Sequence, residues 1–252
     1  MTTTSIILTI LLVGFAYWLF RALTRPNQYP PLDLEKIDRE GLRAKGQRLL
    51  AEAESWPIQL EAEGVSVASS CEPYAVRTVQ YRVECKADFE KTVAYVKKLS
   101  DCEVPRLEKP GKIEETLYDH NRGQARHEWV RRSVHVAPPP GSTRDAVVFY
   151  IEDRPTEDTY TIAFQSVDRM GGKAIEPHEG ASRFQVNPAY YQVQKQGNDR
   201  VVVHKIEAVD PCGMVSSWLN NYFISVFFFR KYMFDEAQTM RDKLSNSVGE
   251  KT

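Results

Sequence analysis

The feature that most constrains this chain is its C-terminal third, where a series of strand-like segments ends in an apolar run long enough for a helix. The run follows the Asp-Pro pair at 210–211 and includes three consecutive phenylalanines at 227–229, directly before two basic residues. A helix this apolar must be covered, and a sheet with one apolar face is the natural cover. We therefore expect a large antiparallel sheet packed on one long C-terminal helix.

Strand patterns fill most of the chain between residues 64 and 210. Val79, Tyr81, Val83 and Cys85 alternate with polar residues, which is typical of a half-buried strand. The segments between the strands, such as PPPGST and GGKAIEPHEG, are dense in turn residues. A first helix is predicted over Asp33–Trp56, with Asp33 as its cap. The predicted order is a helix, two strands, a second helix, about seven strands and the long helix.

The N-terminus carries a second long apolar segment. Residues 6–20 have no charge and the segment extends to residue 23, which is enough to cross a hydrocarbon layer of ~30 Å. Arg21 and Arg25 follow the segment, which favours an uncleaved transmembrane anchor with the rest of the chain in the cytosol. A cleaved signal peptide and a buried helix are the alternatives. The predicted units are an anchor at 1–25, a Pro-rich linker and amphipathic helix at 26–56, one domain at 57–246 and a disordered tail at 247–252.

Charge and cysteine content exclude several functional classes. The 33 Lys and Arg residues against 34 Asp and Glu give a formal charge of -1, so we expect no nucleic-acid partner. The four cysteines form no metal-ligand spacing, and free thiols in a reducing compartment are the expectation, with two disulfides as the alternative if the orientation is reversed. Arg131 stands where an H-E-x-x-H zinc motif needs its second histidine. We therefore expect no catalytic residues, no metal and no cofactor.

Four segments in order resemble a known family. They are STRDAVVFY, TYTIAFQSVD, SRFQVNPAYYQV and VDPCGMVSSWLNNYF, and the likeness runs from about Val65 to Leu244. Together they resemble the START domain, the lipid-transfer module of the helix-grip superfamily. The resemblance implies an α+β fold in which a curved antiparallel sheet wraps around the long C-terminal helix, here preceded by a transmembrane helix.

The resemblance also implies a function. START domains enclose one lipid in an apolar cavity that the C-terminal helix gates, so we expect a membrane-tethered lipid-binding or lipid-transfer protein. Its expected partners are a lipid ligand, its own membrane and an apposed membrane. The alternatives are a lipid sensor or scaffold without transfer, and a helix-grip cavity enzyme.

The class of lipid stays open at this stage. Glu128 lies in phase with Val130 and Val134, and sterol-carrying members of the family have an acidic residue at the matching position. Their cavity arginine falls at Tyr150 here, which puts sterol specificity in doubt. The Trp-Asp pair of phosphatidylcholine carriers is not evident in CEVPRLEKPGK.

The candidate site residues combine this phase argument with the resemblance. Arg183 is expected either to pair with an acidic neighbour or to meet a headgroup, whereas Arg144 and Asp145 are expected to be structural. His204 is predicted to be a core histidine. Asn221 is expected to cap the last helix or line the entrance, and the phenylalanines at 227–229 to divide between core and ligand. The predicted lipid-binding residues are Glu128, Tyr150, Phe164, Arg183, Tyr191, Trp218, Asn221, Tyr222, Val226 and Phe229.

Overall fold

A computed structural model describes residues 11–18, 29–70, 78–100, 113–123, 126–135, 143–210 and 230–249. Besides the helical residues 11–18, the helices in these ranges are α1 (Arg39–Ala53), α2 (Phe89–Ser100) and α3 (Arg230–Gly249), and a 3-10 turn at Leu34–Lys36 precedes α1. The strands are β1 (Ile58–Ala62), β2 (Val65–Ser70), β3 (Thr78–Lys86), β4 (Ile113–His120), β5 (Arg126–His135), β6 (Arg144–Thr156), β7 (Thr159–Ser166), β8 (Arg169–Met170), β9 (Lys173–Ala174), β10 (Ser182–Arg183), β11 (Gln185–Gln196) and β12 (Arg200–Asp210).

One large sheet dominates the structure. Its strands follow the order β1-β2-β3-β12-β11-β7-β6-β5-β4, and every neighbouring pair on this path is antiparallel. Strand β10 adds a short parallel pair to β6, and β8 and β9 form a separate hairpin. The prediction of a large antiparallel sheet is confirmed. The sequence pattern missed β1, whose residues are half-exposed or exposed, and the two-residue strands β8 and β9.

The face of the sheet that packs against α3 is called the inner face here. Helix α3 presents Met233, Ala237, Met240 and Leu244, which recur every three or four residues and therefore form one apolar stripe. This stripe packs with the inward side chains of β2 and β3, and α2 adds its own apolar residues to the same core. The predicted association of sheet and C-terminal helix is present in the described part of that helix.

The opposite, outer face of the sheet is covered by α1. Asp38 caps this helix by accepting a hydrogen bond from the backbone N–H of Gly41 at 2.9 Å, so the cap lies five residues after the predicted one, Asp33. A Cβ atom at Gly46 would lie 2.3 Å from the ring of Tyr190 on β11. The glycine therefore lets α1 approach the sheet closely, and both faces of the sheet are buried.

The N-terminal region is described in part. Residues 11–18 are helical, and in the described ranges no helix is long and apolar enough to cross a membrane. The predicted anchor is therefore not supported by the structure, and its remaining residues lie outside the described ranges. From Tyr29 onward the chain contacts the domain, because the Tyr29 hydroxyl donates to Asp210 at 2.6 Å. Cys85, the one cysteine in these ranges, is a buried free thiol, and burial raises its pKa to about 11.

Candidate functional site

Aromatic side chains form a continuous row on the inner face. Trp129 on β5 lies opposite Tyr150 on β6, and Tyr150 lies opposite Phe164 on β7. Tyr191 on β11 continues the row. The centroids of successive rings are 5.0, 5.2 and 5.8 Å apart, with interplanar angles of 7°, 20° and 23°. This arrangement, defined as the aromatic row, brings together three predicted site residues: Tyr150, Phe164 and Tyr191.

The rings of the aromatic row stack face against face. Their separations match the ~4.8 Å distance between adjacent strands, and their planes are nearly parallel, so each ring covers the face of its neighbour. The row therefore presents ring edges to whatever packs above the sheet. Ring edges carry the positive side of the aromatic quadrupole, so they favour contact with electron-rich atoms and with apolar chains.

A buried lysine lies beyond Tyr191 at one end of the row. Lys205 on β12 is fully buried and its ammonium is 5.4 Å from the ring centroid of Tyr191. It pairs with Glu207 at 2.9 Å and with Glu236 of α3 at 3.2 Å. The Tyr81 hydroxyl donates to the same Glu236 oxygen at 3.3 Å. These contacts fasten α3 to the middle of the sheet.

A second polar cluster closes the other end of the row. The ring of His127 stacks on Trp129 with centroids 4.5 Å apart, and its Nε2 is 2.8 Å from Asp119. Its Nδ1 is 3.3 Å from Glu152, which also accepts a hydrogen bond of 2.6 Å from Lys97 on α2. Both ends of the aromatic row therefore consist of buried or half-buried ion pairs.

Glu128 does not face the aromatic row, which corrects the prediction made from its phase. Its carboxylate accepts a hydrogen bond from Arg39 of α1 at 2.8 Å and lies 3.3 Å from Arg126, on the outer face. Val130, in phase with it, packs in the outer core. The alternation of Glu128 with apolar residues was misleading, because α1 buries the outer face and that face is therefore apolar as well. Glu128 and Tyr150 therefore lie on opposite sides of the sheet and cannot orient one headgroup together.

Arg183 also belongs to the outer face. Its guanidinium donates to the carbonyl of Ile175 and lies 3.7 Å from Asp145, which also pairs with Arg132 at 3.1 Å. Burial lowers the pKa of Arg183, and the charge of Asp145 opposes that shift. Of the two roles considered for Arg183, the structure supports the pair with an acidic neighbour rather than a headgroup contact. Asp145 is structural, as predicted.

Of the remaining predicted residues, the structure describes His204 but not those of the C-terminal segment. His204 packs on the outer face, where its Nδ1 lies 3.1 Å from the side-chain amide of Gln80, and burial lowers its pKa to about 4. It is a core histidine, as predicted. The predicted site residues of the C-terminal segment lie outside the described ranges: Trp218, Asn221, Tyr222, Val226 and Phe229.

Sequence reasoning missed four residues that define the site: Trp129, His127, Lys205 and Glu236. A signal existed for Lys205, because it follows Val201 and Val203 in phase and therefore places a charge on a buried face. Trp129 and His127 alternate with Glu128, so assigning Glu128 to the inner face excluded both of them. The charge of Glu236 on an otherwise polar helix carries no comparable signal.

A separate hollow of about 490 Å³ lies near the N-terminus of α2 and is lined by polar and charged residues, including Glu90, Arg154 and Lys195. Arg154 forms an ion pair with Glu90 there. Its lining is unsuited to an apolar chain. In the described part of the chain, no group of three or more His, Cys, Asp or Glu side chains is placed to hold a metal ion.

Comparison with known proteins identifies the fold. No family model and no curated protein matches the sequence. A STAR-related lipid transfer protein from Xanthomonas axonopodis is similar in structure, with a TM-score of 0.56, 22% identity, and coverage of 75% of this chain and 98% of that chain. Human STARD10 gives a TM-score of 0.57 at 20% identity, covering 90% of this chain and 87% of that one. Human StAR-related lipid transfer protein 5 gives 0.61 at 16% identity, covering 81% and 94%. The chain therefore has the START fold.

Proposed function

We propose that this chain binds one lipid between the inner face of its sheet and the C-terminal helix, and carries it between nearby membranes without covalent chemistry. The observation that carries the proposal is the aromatic row, which lies on the inner face of a START fold and belongs to the same buried apolar cluster as the stripe of α3. Two structural neighbours are named as lipid transfer proteins. Their shared fold supports a lipid as the ligand here.

Such a site stabilises a lipid outside the bilayer because it keeps the lipid chains away from water. A lipid that leaves a bilayer exposes its chains to water at about 0.8 kcal/mol for each CH₂ group. An apolar space between the sheet and α3 avoids most of that cost. The stripe of Met233, Ala237, Met240 and Leu244 supplies an apolar ceiling, and methionine side chains adapt to ligands of irregular shape.

Release of the lipid requires the ceiling to move, and we assign the gate to α3. Its described contacts with the sheet include the pair between Glu236 and Lys205, so opening exchanges this pair for contact with water. The apolar stripe that opening exposes is suited to transient contact with a membrane. In this mechanism α3 acts as the lid and the sheet stays fixed.

We further propose that the N-terminal apolar segment tethers the domain to its own membrane, with the domain in the cytosol. The chain already contacts the domain at Tyr29, through Asp210. Five residues, 24–28, separate that contact from the apolar segment, and they span at most ~18 Å when extended. A domain held this close to its own membrane would deliver lipid only to an apposed one.

Native mass spectrometry of the full chain tests the binding proposal. One lipid per protein is expected, and lipid extraction followed by mass spectrometry identifies it. A matched pair of variants locates the site, because Phe164 and Phe149 lie on neighbouring strands but on the inner and outer face respectively. Phe164→Leu should reduce lipid occupancy several-fold, and Phe149→Leu should leave it unchanged. Equal occupancy in the two variants would place the lipid elsewhere.

A transfer assay separates carriage from the alternatives. Donor vesicles with a fluorescent lipid and acceptor vesicles without it are mixed with the protein, and the expected result is movement of intact lipid. Binding without movement would indicate a sensor or scaffold. A lipid recovered with a changed mass would indicate an enzyme.

A further inference from the structure

The chain enters the domain at one end of the large sheet. Tyr29 donates a hydrogen bond of 2.6 Å to Asp210, the last residue of β12. Three residues later, the carbonyl of Leu32 accepts a hydrogen bond of 3.0 Å from the backbone N–H of Arg169, at the start of β8. We call this end of the sheet the Tyr29 end, and the opposite end, where β12 begins at Arg200, the far end.

The lengths of the linker and of the sheet decide which end can lie near the membrane. Five residues, 24–28, join the apolar segment to Tyr29 and span at most ~18 Å. Strand β12 has 11 residues, so the two ends of the sheet are about 33 Å apart. When the apolar segment spans the bilayer, as we propose, a far end placed against that bilayer would lift Tyr29 about 33 Å above its surface. The linker cannot reach that far, so the far end points away from the membrane.

A short hairpin extends from the Tyr29 end beside the linker. Strands β8 and β9 are joined by Gly171 and Gly172, whose φ angles of 60° and 73° lie in the region that favours glycine. A Cβ atom at either glycine would have no neighbour within 4 Å among the described residues, so open space surrounds the tip. Glu35 accepts a hydrogen bond of 2.6 Å from the backbone N–H of Gly171. The tip is therefore fixed next to the residues that follow the linker.

The side chains of this hairpin suit the headgroup layer of a bilayer. Arg169 and Lys173 are exposed on either side of the tip, and neither forms an ion pair in the described part of the chain. Long basic side chains reach headgroups while their stems cover apolar surface. The carboxylates of Asp33 and Glu35 lie on the neighbouring segment and balance these two charges. We therefore expect contact with a bilayer that contains no anionic lipid.

The far end differs from the Tyr29 end in composition. The turn between β6 and β7 and the turn between β11 and β12 both lie there, next to the polar hollow at the N-terminus of α2. Exposed charged residues line these turns: Arg154, Glu157, Asp158, Lys195 and Arg200. This composition suits contact with water and agrees with a far end that points away from the membrane.

Resting on the proposed tether, we infer that the short linker holds the Tyr29 end of the domain against the bilayer that contains the N-terminal apolar segment, and that the β8–β9 hairpin contacts its headgroups. The linker gives the hairpin a high effective concentration at the surface, so weak contacts are sufficient. The opposite end of the sheet, with its polar hollow, faces away from this bilayer.

The direction of α3 gives this orientation a consequence for the proposed lid. Arg230, at the start of α3, donates a hydrogen bond to Gln59 of β1, and Arg241 forms an ion pair of 2.7 Å with Glu63. Glu63 lies in the turn between β1 and β2, and this turn is at the far end, because the carbonyl of the next residue accepts a hydrogen bond from Glu84 near the end of β3. The lid therefore begins closer to the membrane than it ends.

Photo-crosslinking to lipid tests which end faces the bilayer. The photoreactive residue p-benzoylphenylalanine replaces Lys173 in the hairpin or, as the matched control, Asn198 in the exposed turn between β11 and β12 at the far end. The full chain of each variant is reconstituted in phosphatidylcholine vesicles and irradiated, and mass spectrometry of its peptides identifies lipid adducts. Position 173 should give phosphatidylcholine adducts, and position 198 should give none.

The possible outcomes separate this inference from the proposed function. Adducts at position 198 that equal or exceed those at position 173 would overturn the inference. So would an absence of adducts at position 173 in chains that stay in the vesicles after carbonate extraction, although the tether itself would then stand. If carbonate removes the chain from the vesicles, the proposed tether fails and the inference fails with it.

A longer linker tests whether the short tether sets the orientation. About 15 Gly and Ser residues inserted between Pro26 and Asn27 leave Tyr29 in place and add flexible chain with a root-mean-square length of about 21 Å. The adduct yield at position 173 should fall several-fold, because the effective concentration of the hairpin at the surface falls. The same residues appended after Thr252 are the control and should leave the yield unchanged. A yield that does not fall with the longer linker would contradict the inference.

Discussion

The two faces of the sheet are both buried, yet they are built for different purposes. The outer face is filled by protein: α1 packs on it, Gly46 brings the helix against Tyr190, and Arg39 pairs with Glu128. The inner face is lined by the aromatic row and fastened to α3 by the pair between Lys205 and Glu236. The outer face is a fixed core. The inner face is one wall of the lipid site, which we propose opens when α3 moves.

The ion pairs of the two faces differ most in their exposure to water. The side chain of Lys205 is 0% exposed, whereas that of Arg39 is 30% exposed. A fully buried charge depends on its partners, because it has no access to solvent when they are lost. A half-exposed charge recovers much of its hydration. The comparison therefore predicts that equivalent substitutions have unequal effects on the two faces.

Removing the buried cation should have the largest effect. Lys205→Met leaves Glu207 and Glu236 buried without their shared cation, so the free energy of unfolding should fall by about 3–5 kcal/mol. Arg39→Met on the outer face leaves Glu128 next to Arg126, and the loss should be about 1 kcal/mol. Urea unfolding followed by tryptophan fluorescence measures both values. Equal losses would show that the two faces are not distinguished by burial of charge.

Lowering the pH should reduce the free energy of unfolding, because it favours protonation of His204 on the outer face. Its folded pKa of about 4 lies below the ordinary value of 6.5, because burial disfavours the charged ring. Between these values the unfolded chain binds a proton that the folded chain does not, so stability is lost as the pH falls from 6.5 to 4. The contribution is about 2 kcal/mol, allowing for partial exposure of the ring. The difference in unfolding free energy between the native chain and His204→Gln should therefore change across this range. His178→Gln, at an exposed position, should follow the native chain throughout.

A methyl group at Gly46 tests how tightly the outer face is packed. Gly46→Ala should improve helix propensity but force its Cβ into the ring of Tyr190, and the net result should be a loss of about 1–2 kcal/mol. Ala44→Gly, on the exposed side of the same helix, measures propensity alone and should cost about 1 kcal/mol. Lipid occupancy should stay unchanged in both variants. A gain in stability for Gly46→Ala would mean that α1 is loosely held.

The sequence predicted the class of fold well because periodicity reports local structure directly. Alternation located the long strands. A C-terminal helix that packs on them is present from Arg230 onward, whereas the apolar run before it lies outside the described residues. Short or exposed strands such as β8 and β1 escaped because two residues have no period and exposed residues have no apolar pattern. The cap was misplaced at Asp33 because both Asp33 and Asp38 are suitable residues, and the choice depends on the 3-10 turn between them.

The site was predicted less well, because alternation tells which residues share a face but not which face is inner. In β6 the residues on both faces are apolar, as Tyr150 and Phe149 illustrate. Tyr150, Phe164 and Tyr191 were assigned to the inner face, whereas Glu128 was assigned there wrongly. Deciding between the faces requires knowing where α1 and α3 pack, and that information is non-local. The ion pair between Lys205 and Glu236 is beyond local pattern for the same reason.

The smallest expected effect concerns the neighbours Glu128 and Trp129, which lie one residue apart and on opposite faces. Glu128→Gln keeps the size of the side chain and should cost about 1 kcal/mol of stability, because Arg39 and Arg126 lose a charged partner. Its effect on lipid affinity should be less than twofold, since the carboxylate lies on the side of the sheet away from the aromatic row. Titration of the native chain, Glu128→Gln and Trp129→Phe with the same lipid, at matched fractions of folded protein, measures this contrast. A change in lipid preference in Glu128→Gln would mean that α1 and the outer face take part in recognition, and the division between a fixed face and an opening face would then have to be abandoned.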